Sequence, residues 1–199
     1  MQIQGPAGTL EAKLERAVNE KTITAILSHP HPQYGGSMHD AVLRTAAEVL
    51  LEYGVNCLFF NFRGVGGSEG SFAHGTGEVD DLLAVIRWQQ EEYPRDKLWL
   101  CGYSFGAHVT WHALAEALPQ RAVLIAPPVG MMEFAALPEE CVQAISSLDV
   151  IAGEQDNFVQ QDQLSRWEAV NAHVIPGADH FFSNSHAQLK ETLADIVRQ

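Results

Sequence analysis

The sequence predicts an α/β fold, with a mostly parallel, doubly wound sheet, an N-terminal antiparallel hairpin and no large cap domain. Short apolar runs alternate with segments of helical spacing from residue 22 onward, and this order is typical of a parallel sheet covered by helices. Loops rich in glycine and proline follow several of the apolar runs. Because reactive groups in such sheets gather at the carboxyl ends of the strands, we expect the functional residues in these loops.

The N-terminal residues predict the hairpin. Apolar residues alternate with polar ones over residues 8–18, and the polar residues 19–21 follow as a turn. This alternation predicts a short antiparallel hairpin that leads into an apolar strand at 22–28.

The remaining elements follow in alternation. Apolar runs predict strands at 55–62, 98–101, 122–126, 149–153 and 172–176. Helical spacing predicts helices at 38–53, 78–92, 107–118, 162–168 and 185–198. Gly54 stands at the C-cap of the first helix, and Asp80 and Asp81 begin the second, where acidic side chains favour the positive end of the helix dipole. The segment 129–148 lacks clean periodicity and predicts only a short helical excursion.

Composition limits the possible functions. The 199 residues are 46% apolar, which is enough to bury the core of one domain spanning residues 1–199. A formal net charge of -13 provides no basic surface for nucleic acid or an anionic membrane. The start of the chain lacks the pattern of an export signal, and no apolar run approaches the length of a membrane span. We therefore expect a cytoplasmic protein without nucleic-acid or membrane partners.

Three cysteines, Cys57, Cys101 and Cys141, are odd in number, and two of them lie in predicted strands. This distribution favours reduced thiols in the core over disulfides. Reduced thiols suit the cytoplasm.

The stretch Gly102-Tyr103-Ser104-Phe105-Gly106 lies between a predicted strand and a predicted helix. A G-x-S-x-G sequence in this position is typical of a nucleophile elbow, a sharp turn that lifts a serine hydroxyl clear of the sheet edge. The two glycines allow the strand and the helix to approach while the serine holds a strained backbone. The pattern therefore predicts Ser104 as a nucleophile.

A serine hydroxyl needs a base within hydrogen-bonding reach and a third group that holds the base. Asp156 follows the predicted strand 149–153, and His180 follows the predicted strand 172–176. The ends of three strands thus deliver a nucleophile, an acid and a base to one edge of the sheet.

With these residues and two further loops, the chain resembles the α/β-hydrolase superfamily over nearly its whole length, and within it the small, lidless bacterial serine hydrolases. The motifs that carry the resemblance are His29-Pro30-His31-Pro32-x-Tyr34-Gly35-Gly36, Asn61-Phe62-Arg63-Gly64-x-Gly66-x-Ser68-x-Gly70 and the serine stretch 102–106. The resemblance implies Ser104 as the nucleophile, His180 as the general base and Asp156 as its orienting acid.

Acyl transfer also needs hydrogen-bond donors for the oxyanion that develops on the substrate. The resemblance implies the amide of Phe105 as one donor, and it takes the second from the loop 29–36. Two prolines in that loop have no N–H, so the available amides include those of His31, Gln33 and Tyr34. We expect His31 to be the second donor, with Tyr34 as its rival.

Other residues compete for these roles. Glu154 and Asp179 are rivals of Asp156, since the first falls nearer to the strand and the second is adjacent to His180. His186 is the rival base, but its place at the start of a helix favours contact with solvent.

Metal and phosphate sites have weaker support. His108 and His112 are four residues apart, as in zinc proteases, but Val109 stands where that motif has its glutamate. His29, His31, His39 and Asp40 are a possible metal site, but nothing in the sequence fixes the position of a third ligand. Hydrogen bonds that hold the loop explain His29 and His31 as well as a catalytic role does.

The glycine loop 63–70 lacks both the ending of a P-loop and the spacing of a dinucleotide fingerprint. It more simply shapes the wall of the active site, with Arg63 making structural hydrogen bonds. We expect neither a metal nor an organic cofactor.

These residues predict a serine esterase-like hydrolase that cleaves an ester or other activated acyl bond of a small substrate through an acyl-enzyme. Peptidase, amidase or thioesterase activity stays open because a catalytic triad does not select the leaving group, and a binding protein without turnover is the alternative from another class. Tyr34, Met131 and Phe181 with its neighbour Phe182 are candidates for an apolar pocket, although residues 131–134 could equally be core. Neither the substrate nor the oligomeric state follows from the sequence.

Overall fold

The computed structural model describes residues 1–164, 167 and 170–199, and these residues form a sheet of eight strands. The strands are β1 (Gln2–Gly5), β2 (Gly8–Glu15), β3 (Ile23–Ser28), β4 (Asn56–Phe60), β5 (Lys97–Tyr103), β6 (Arg121–Ile125), β7 (Ser147–Gly153) and β8 (Asn171–Ile175). Their order across the sheet is β1-β2-β4-β3-β5-β6-β7-β8. Strands β3 to β8 pair in parallel, which confirms the mostly parallel sheet.

The helices alternate with the strands from β3 onward. They are α1 (Ala41–Glu52), α2 (Thr76–Glu92), α3 (Phe105–Ala117), α4 (Glu139–Ala144), α5 (Gln161–Leu164) and α6 (His186–Arg198), and a short 3₁₀ turn spans Pro32–Tyr34. Helix α1 packs against α6, and α2 packs against α3. None of the described helices is long and apolar enough to cross a bilayer.

The antiparallel hairpin is confirmed, but it lies nearer to the N-terminus than the alternation predicts. β1 and β2 pair from Gln2↔Glu11 to Gly5↔Gly8, so the chain turns at residues 6–7 and not at 19–21. β2 then pairs antiparallel with β4, because β4 lies between β2 and β3 in the sheet. The polar residues 19–21 therefore belong to a crossover, not to a hairpin turn.

Helix α2 begins before the predicted position, and its acidic residues differ in role. Glu78 caps the helix, because its carboxylate accepts two backbone N–H groups of the preceding turn at 2.8 and 2.7 Å. Asp81 is fully buried and accepts hydrogen bonds from the backbone N–H, Nε and Nη2 of Arg63 at 3.0, 2.9 and 2.7 Å. The helix-dipole role predicted for Asp81 is therefore wrong, whereas the structural hydrogen bonds predicted for Arg63 are present.

The segment between β6 and β7 is short. It contains α4, the helical excursion expected within 129–148, and β7 begins at Ser147. The predicted helix 162–168 is observed in part as α5, and the rest of that prediction falls mostly outside the described residues. The α/β sheet thus carries no large insertion between β6 and β7.

Candidate active site

Ser104 is the single residue between β5 and α3. Its φ of 53° and ψ of -117° are unfavourable for a residue with a Cβ, and its N–H is held by the carbonyl of Ile125 at 2.9 Å. The close packing requires both flanking glycines. A Cβ on Gly102 would overlap the carbonyl group of Gly106, and a Cβ on Gly106 would overlap the carbonyl of Ser28. The sequence therefore folds here into a strained strand-to-helix turn that presents the serine hydroxyl.

Three side chains form a hydrogen-bonded chain at this turn. His180 Nε2 lies 2.9 Å from Ser104 Oγ, and His180 Nδ1 lies 2.7 Å from Asp156 Oδ2. The other carboxylate oxygen of Asp156 accepts the Phe158 N–H at 2.8 Å. With the Nδ1 proton donated to the carboxylate, Nε2 is left to accept the serine proton, so the arrangement can remove a proton from the hydroxyl.

Burial and aromatic contacts fix the imidazole. Asp156 and His180 are only 6% and 8% exposed. The rings of Phe158 and Phe181 have their centroids 4.6 and 5.3 Å from that of His180, and the Tyr103 hydroxyl donates to the His180 carbonyl at 3.1 Å. Neither the contact of Phe158 with His180 nor that of Tyr103 is predicted from the sequence. The position of Phe158 two residues after the acid was the available signal, because that spacing allows its amide to bond the carboxylate.

The rivals for the acid and the base lie elsewhere. Glu154 accepts the Gly177 N–H at 2.8 Å. Asp179 accepts N–H and O–H groups of its own loop, and the hydrogen bonds from Ser183 lower the pKa of its carboxyl group. His186 is bonded to Thr45 through Nδ1 at 2.8 Å and is partly exposed, so it contacts α1 as well as solvent.

The two expected oxyanion donors lie on neighbouring segments. The His31 ring packs 4.9 Å from the Phe105 ring, which places the loop after β3 beside the first turn of α3. Within the described part of the chain, neither backbone N–H has a hydrogen-bond acceptor. The competing amides are engaged, because the Gln33 N–H donates to His31 Nδ1 at 3.2 Å and the Tyr34 N–H donates to the His31 carbonyl at 3.1 Å.

His29 connects this loop to the next one. Its Nε2 accepts the Phe62 N–H at 3.0 Å, and its Nδ1 donates to the Pro30 carbonyl at 2.7 Å. The side chain is completely buried, and this burial lowers the pKa of His29 to about 4. A neutral imidazole with its proton on Nδ1 satisfies both hydrogen bonds, whereas a protonated ring could not accept from Phe62.

The candidate pocket residues divide into exposed and buried ones. Tyr34, Met131 and Phe181 are 87%, 69% and 61% exposed. Phe182 is fully buried in the core, so it does not line an open pocket. Met131 lies next to Gly130, whose N–H donates to the Phe158 carbonyl at 3.1 Å and so joins the segment after β6 to the loop that carries Asp156.

Two of the residues considered for a metal, His112 and Asp40, have other partners. His112 Nε2 lies 3.0 Å from the Glu133 carbonyl, and Asp40 caps α1 by accepting the N–H groups of its first turn at 2.8 and 3.2 Å. Among the residues that the structure describes, no three His, Cys, Asp or Glu side chains are grouped so that they could hold a metal ion.

The sequence of this chain is similar to that of a known protein family and of a bacterial relative. Residues 34–179 match the family described as serine aminopeptidase, S33. The protein RP471 of Rickettsia prowazekii is 31% identical over 211 residues, covering 97% of this chain and 86% of the relative.

Two solved structures are more similar still. XC6422 of Xanthomonas campestris, a serine hydrolase without a lid, superposes with a TM-score of 0.92 at 37% identity over 100% of this chain and 92% of its own. A serine hydrolase homologue of Coxiella burnetii gives a TM-score of 0.90 at 37% identity over 98% of this chain and 95% of its own.

Proposed function

This chain belongs to the S33 serine aminopeptidase family of α/β-hydrolases, and from that premise we propose that it cleaves an ester or other activated acyl bond through an acyl-enzyme on Ser104. The observation that carries the proposal is the hydrogen-bonded chain from Ser104 Oγ through His180 to Asp156, with distances of 2.9 and 2.7 Å. A buried acid, a histidine with a fixed tautomer and a serine on a strained turn are the parts that nucleophilic acyl transfer requires.

The reaction proceeds in two halves. Ser104 Oγ attacks the acyl carbon while His180 Nε2 takes the hydroxyl proton, and the same nitrogen then gives that proton to the leaving group as the acyl-enzyme forms. In the second half, water attacks the acyl-enzyme and loses its proton to His180, which returns it to the serine as the acid product leaves. Asp156 keeps Nδ1 protonated and stabilises the imidazolium in both halves.

The amides of Phe105 and His31 stabilise the oxyanion of each tetrahedral intermediate. Both N–H groups lack an acceptor within the described residues, and they lie on segments that pack together beside Ser104. Fixed donors of this kind need no reorganisation as charge develops, which makes them a large contribution to catalysis.

The Asp156→Asn variant is expected to retain the fold and to lose about 10⁴-fold in kcat, because an amide at this position favours the wrong tautomer of His180. Steady-state hydrolysis of 4-nitrophenyl pentanoate measures the loss. Glu154→Gln is the matched control, since its amide oxygen still accepts the Gly177 N–H, and it should retain wild-type kcat. The reverse result, with Glu154→Gln inactive and Asp156→Asn active, would assign the acid to Glu154.

The charges at the site disfavour anionic substrates. The segments that follow β3, β5, β6, β7 and β8 carry no lysine or arginine over 29–40, 104–117 (Ser104 and helix α3), 126–146, 154–160 and 176–185. Arg63, after β4, is 11% exposed and paired with Asp81. Carboxylates at this edge include Glu154 and Asp179, the latter adjacent to His180. An anionic acyl group or a carrier rich in phosphate would therefore be repelled, with no lysine or arginine within these ranges to offset the repulsion.

A matched pair of esters tests the proposed function together with its charge preference. 4-Nitrophenyl pentanoate and 4-nitrophenyl hemiglutarate have the same chain length and differ in a terminal carboxylate. We expect turnover of the neutral ester, with kcat/KM for the anionic one lower by about tenfold and the gap narrowing as ionic strength rises. Absence of turnover on neutral esters, anilides and thioesters alike would overturn the proposed hydrolase.

Charge variants locate the cause of the preference. Replacing Glu154 with Gln and Asp179 with Asn together should reduce the difference in kcat/KM between the two esters. Neutralising Glu191 and Asp195 on α6 makes the same change in net charge away from this edge and should leave the gap unchanged. An equal response to both pairs would show that net charge alone sets the preference.

Aminopeptidase activity is the second candidate, favoured by the family description and by the same acidic edge, which suits the ammonium group of a peptide N-terminus. Leucine 4-nitroanilide distinguishes it from an esterase. A higher kcat/KM on this anilide than on 4-nitrophenyl pentanoate would replace the ester proposal with the peptidase.

The cysteines bear on the compartment. Cys57, Cys101 and Cys141 are free and buried, and burial raises the pKa of Cys101 to about 12. Thiols of this kind are compatible with a reducing environment, and we propose a cytoplasmic location on that ground.

A further inference from the structure

We propose that His29 is a positioning residue that orients the peptide group whose N–H binds the oxyanion. The inference rests on the proposed function and concerns a side chain that lies outside the Ser104–His180–Asp156 chain. It starts from the hydrogen bond that His29 Nδ1 donates to the carbonyl of Pro30 at 2.7 Å.

The carbonyl of Pro30 and the N–H of His31 belong to one peptide group. A peptide group is planar, and in its trans form the carbonyl and the N–H point in opposite directions. A donor that holds the carbonyl from one side therefore directs the N–H toward the other side. His29 is hydrogen-bonded to the carbonyl of this peptide group. The His31 N–H, on the opposite side of the group, has no acceptor among the described residues.

The neighbouring backbone limits rotation of the same peptide group. The carbonyl of His31 accepts the N–H groups of Tyr34 and Gly36, both at 3.1 Å, so the next peptide along the chain is held as well. Gly36 lies so close to Pro30 that a Cβ at position 36 would overlap the Pro30 carbonyl group. The hydrogen bond from His29 to the Pro30 carbonyl thus adds a side-chain contact to the backbone contacts that fix the peptide group of the His31 N–H.

His29 is itself fixed at its second nitrogen. Nε2 accepts the Phe62 N–H at 3.0 Å, and the imidazole packs on the Phe62 ring with centroids 4.6 Å apart. The loop that follows β4 therefore fixes the imidazole of His29, and the imidazole in turn fixes the peptide group of the proposed donor. A hydrogen bond received at a carbonyl also polarises its peptide group, which strengthens the N–H as a donor.

Two substitutions separate the positioning role from a merely structural one. In His29→Asn the amide nitrogen stands where Nδ1 stands, so the donor to Pro30 is kept and the acceptor for Phe62 is lost. In His29→Gln the amide oxygen stands where Nε2 stands, so the acceptor is kept and the donor to Pro30 is lost. Each variant loses one hydrogen bond, and thermal unfolding is expected to report similar losses of stability.

Kinetics of 4-nitrophenyl pentanoate hydrolysis and the affinity for a trifluoromethyl ketone, which forms an oxyanion on the enzyme, provide the test. We expect kcat of His29→Gln to fall by about 10²-fold with KM little changed, as when an oxyanion donor is removed, and inhibitor affinity to fall in parallel. His29→Asn should retain kcat within about tenfold of wild type and bind the inhibitor accordingly.

Equal losses of kcat in the two variants, or losses that follow their unfolding temperatures, would overturn the positioning role and leave a structural one. A wild-type protein that turns over no acyl substrate would overturn the proposed function, and with it this inference. Turnover by the wild type with both variants unimpaired would overturn the inference alone.

Discussion

The Ser104→Ala variant is expected to lose about 10⁶-fold in kcat for 4-nitrophenyl pentanoate while it remains folded, since removal of the nucleophile leaves only binding and the oxyanion donors to act. Alanine has the same Cβ as serine, so the strain at φ 53° is not increased. Thermal unfolding and hydrolysis assays on the same preparation measure the two quantities. A fluorophosphonate, which reacts with activated serines, should label the wild type once and the variant not at all.

Ser183→Ala is the control for this prediction. Ser183 lies in the loop after β8, and its hydroxyl donates to Asp179 Oδ2 at 2.8 Å. Its loss should leave labelling and turnover intact, although it lies only three residues from His180. A label that maps to another serine, or turnover that survives in Ser104→Ala, would remove Ser104 from the mechanism.

Local sequence signals predicted the sheet and the three residues that the structure brings together. The turn at Ser104 is encoded within five residues, because both glycines are needed for strand and helix to approach. Asp156 and His180 are distant from Ser104 in sequence, but each directly follows a parallel strand, and parallel strands deliver their carboxyl ends to one edge. The parallel topology therefore brings together three residues that are far apart in the sequence.

The errors arose where partners are decided by tertiary packing. The alternation over residues 8–18 correctly indicated a strand, but it could not show that β4 would lie between β2 and β3. Asp81 has the residue type of a helix N-terminus, yet it is buried because Arg63, from a different loop, supplies three donors. His186 likewise finds Thr45 on α1, a contact between helices that helical periodicity cannot foresee.

The second proposed oxyanion donor, the His31 N–H, depends on both sequence and tertiary structure. The sequence alone excluded the prolines of the 29–36 loop as donors, because proline has no N–H. In the structure the N–H groups of Gln33 and Tyr34 already donate to atoms of His31, so they are not available to an oxyanion. The sequence could not show that the imidazole of His29 is hydrogen-bonded to the carbonyl of Pro30. This carbonyl belongs to the same peptide group as the His31 N–H. The hydrogen bond from His29 depends on Phe62, which reaches His29 only because β3 and β4 are neighbours.

The His180→Ala variant is expected to lose kcat by about 10⁶-fold, as much as Ser104→Ala, because nucleophile and base act as one unit and neither works without the other. The two variants differ in their reaction with the fluorophosphonate. His180→Ala keeps the Ser104 hydroxyl but loses the group 2.9 Å from it that takes its proton, so labelling should become slow without being abolished. His186→Ala, which also removes a histidine that bonds through a ring nitrogen, should label and turn over as the wild type does. Labelling of His180→Ala at the wild-type rate would show that another group activates Ser104, and loss of activity in His186→Ala would make that residue the base.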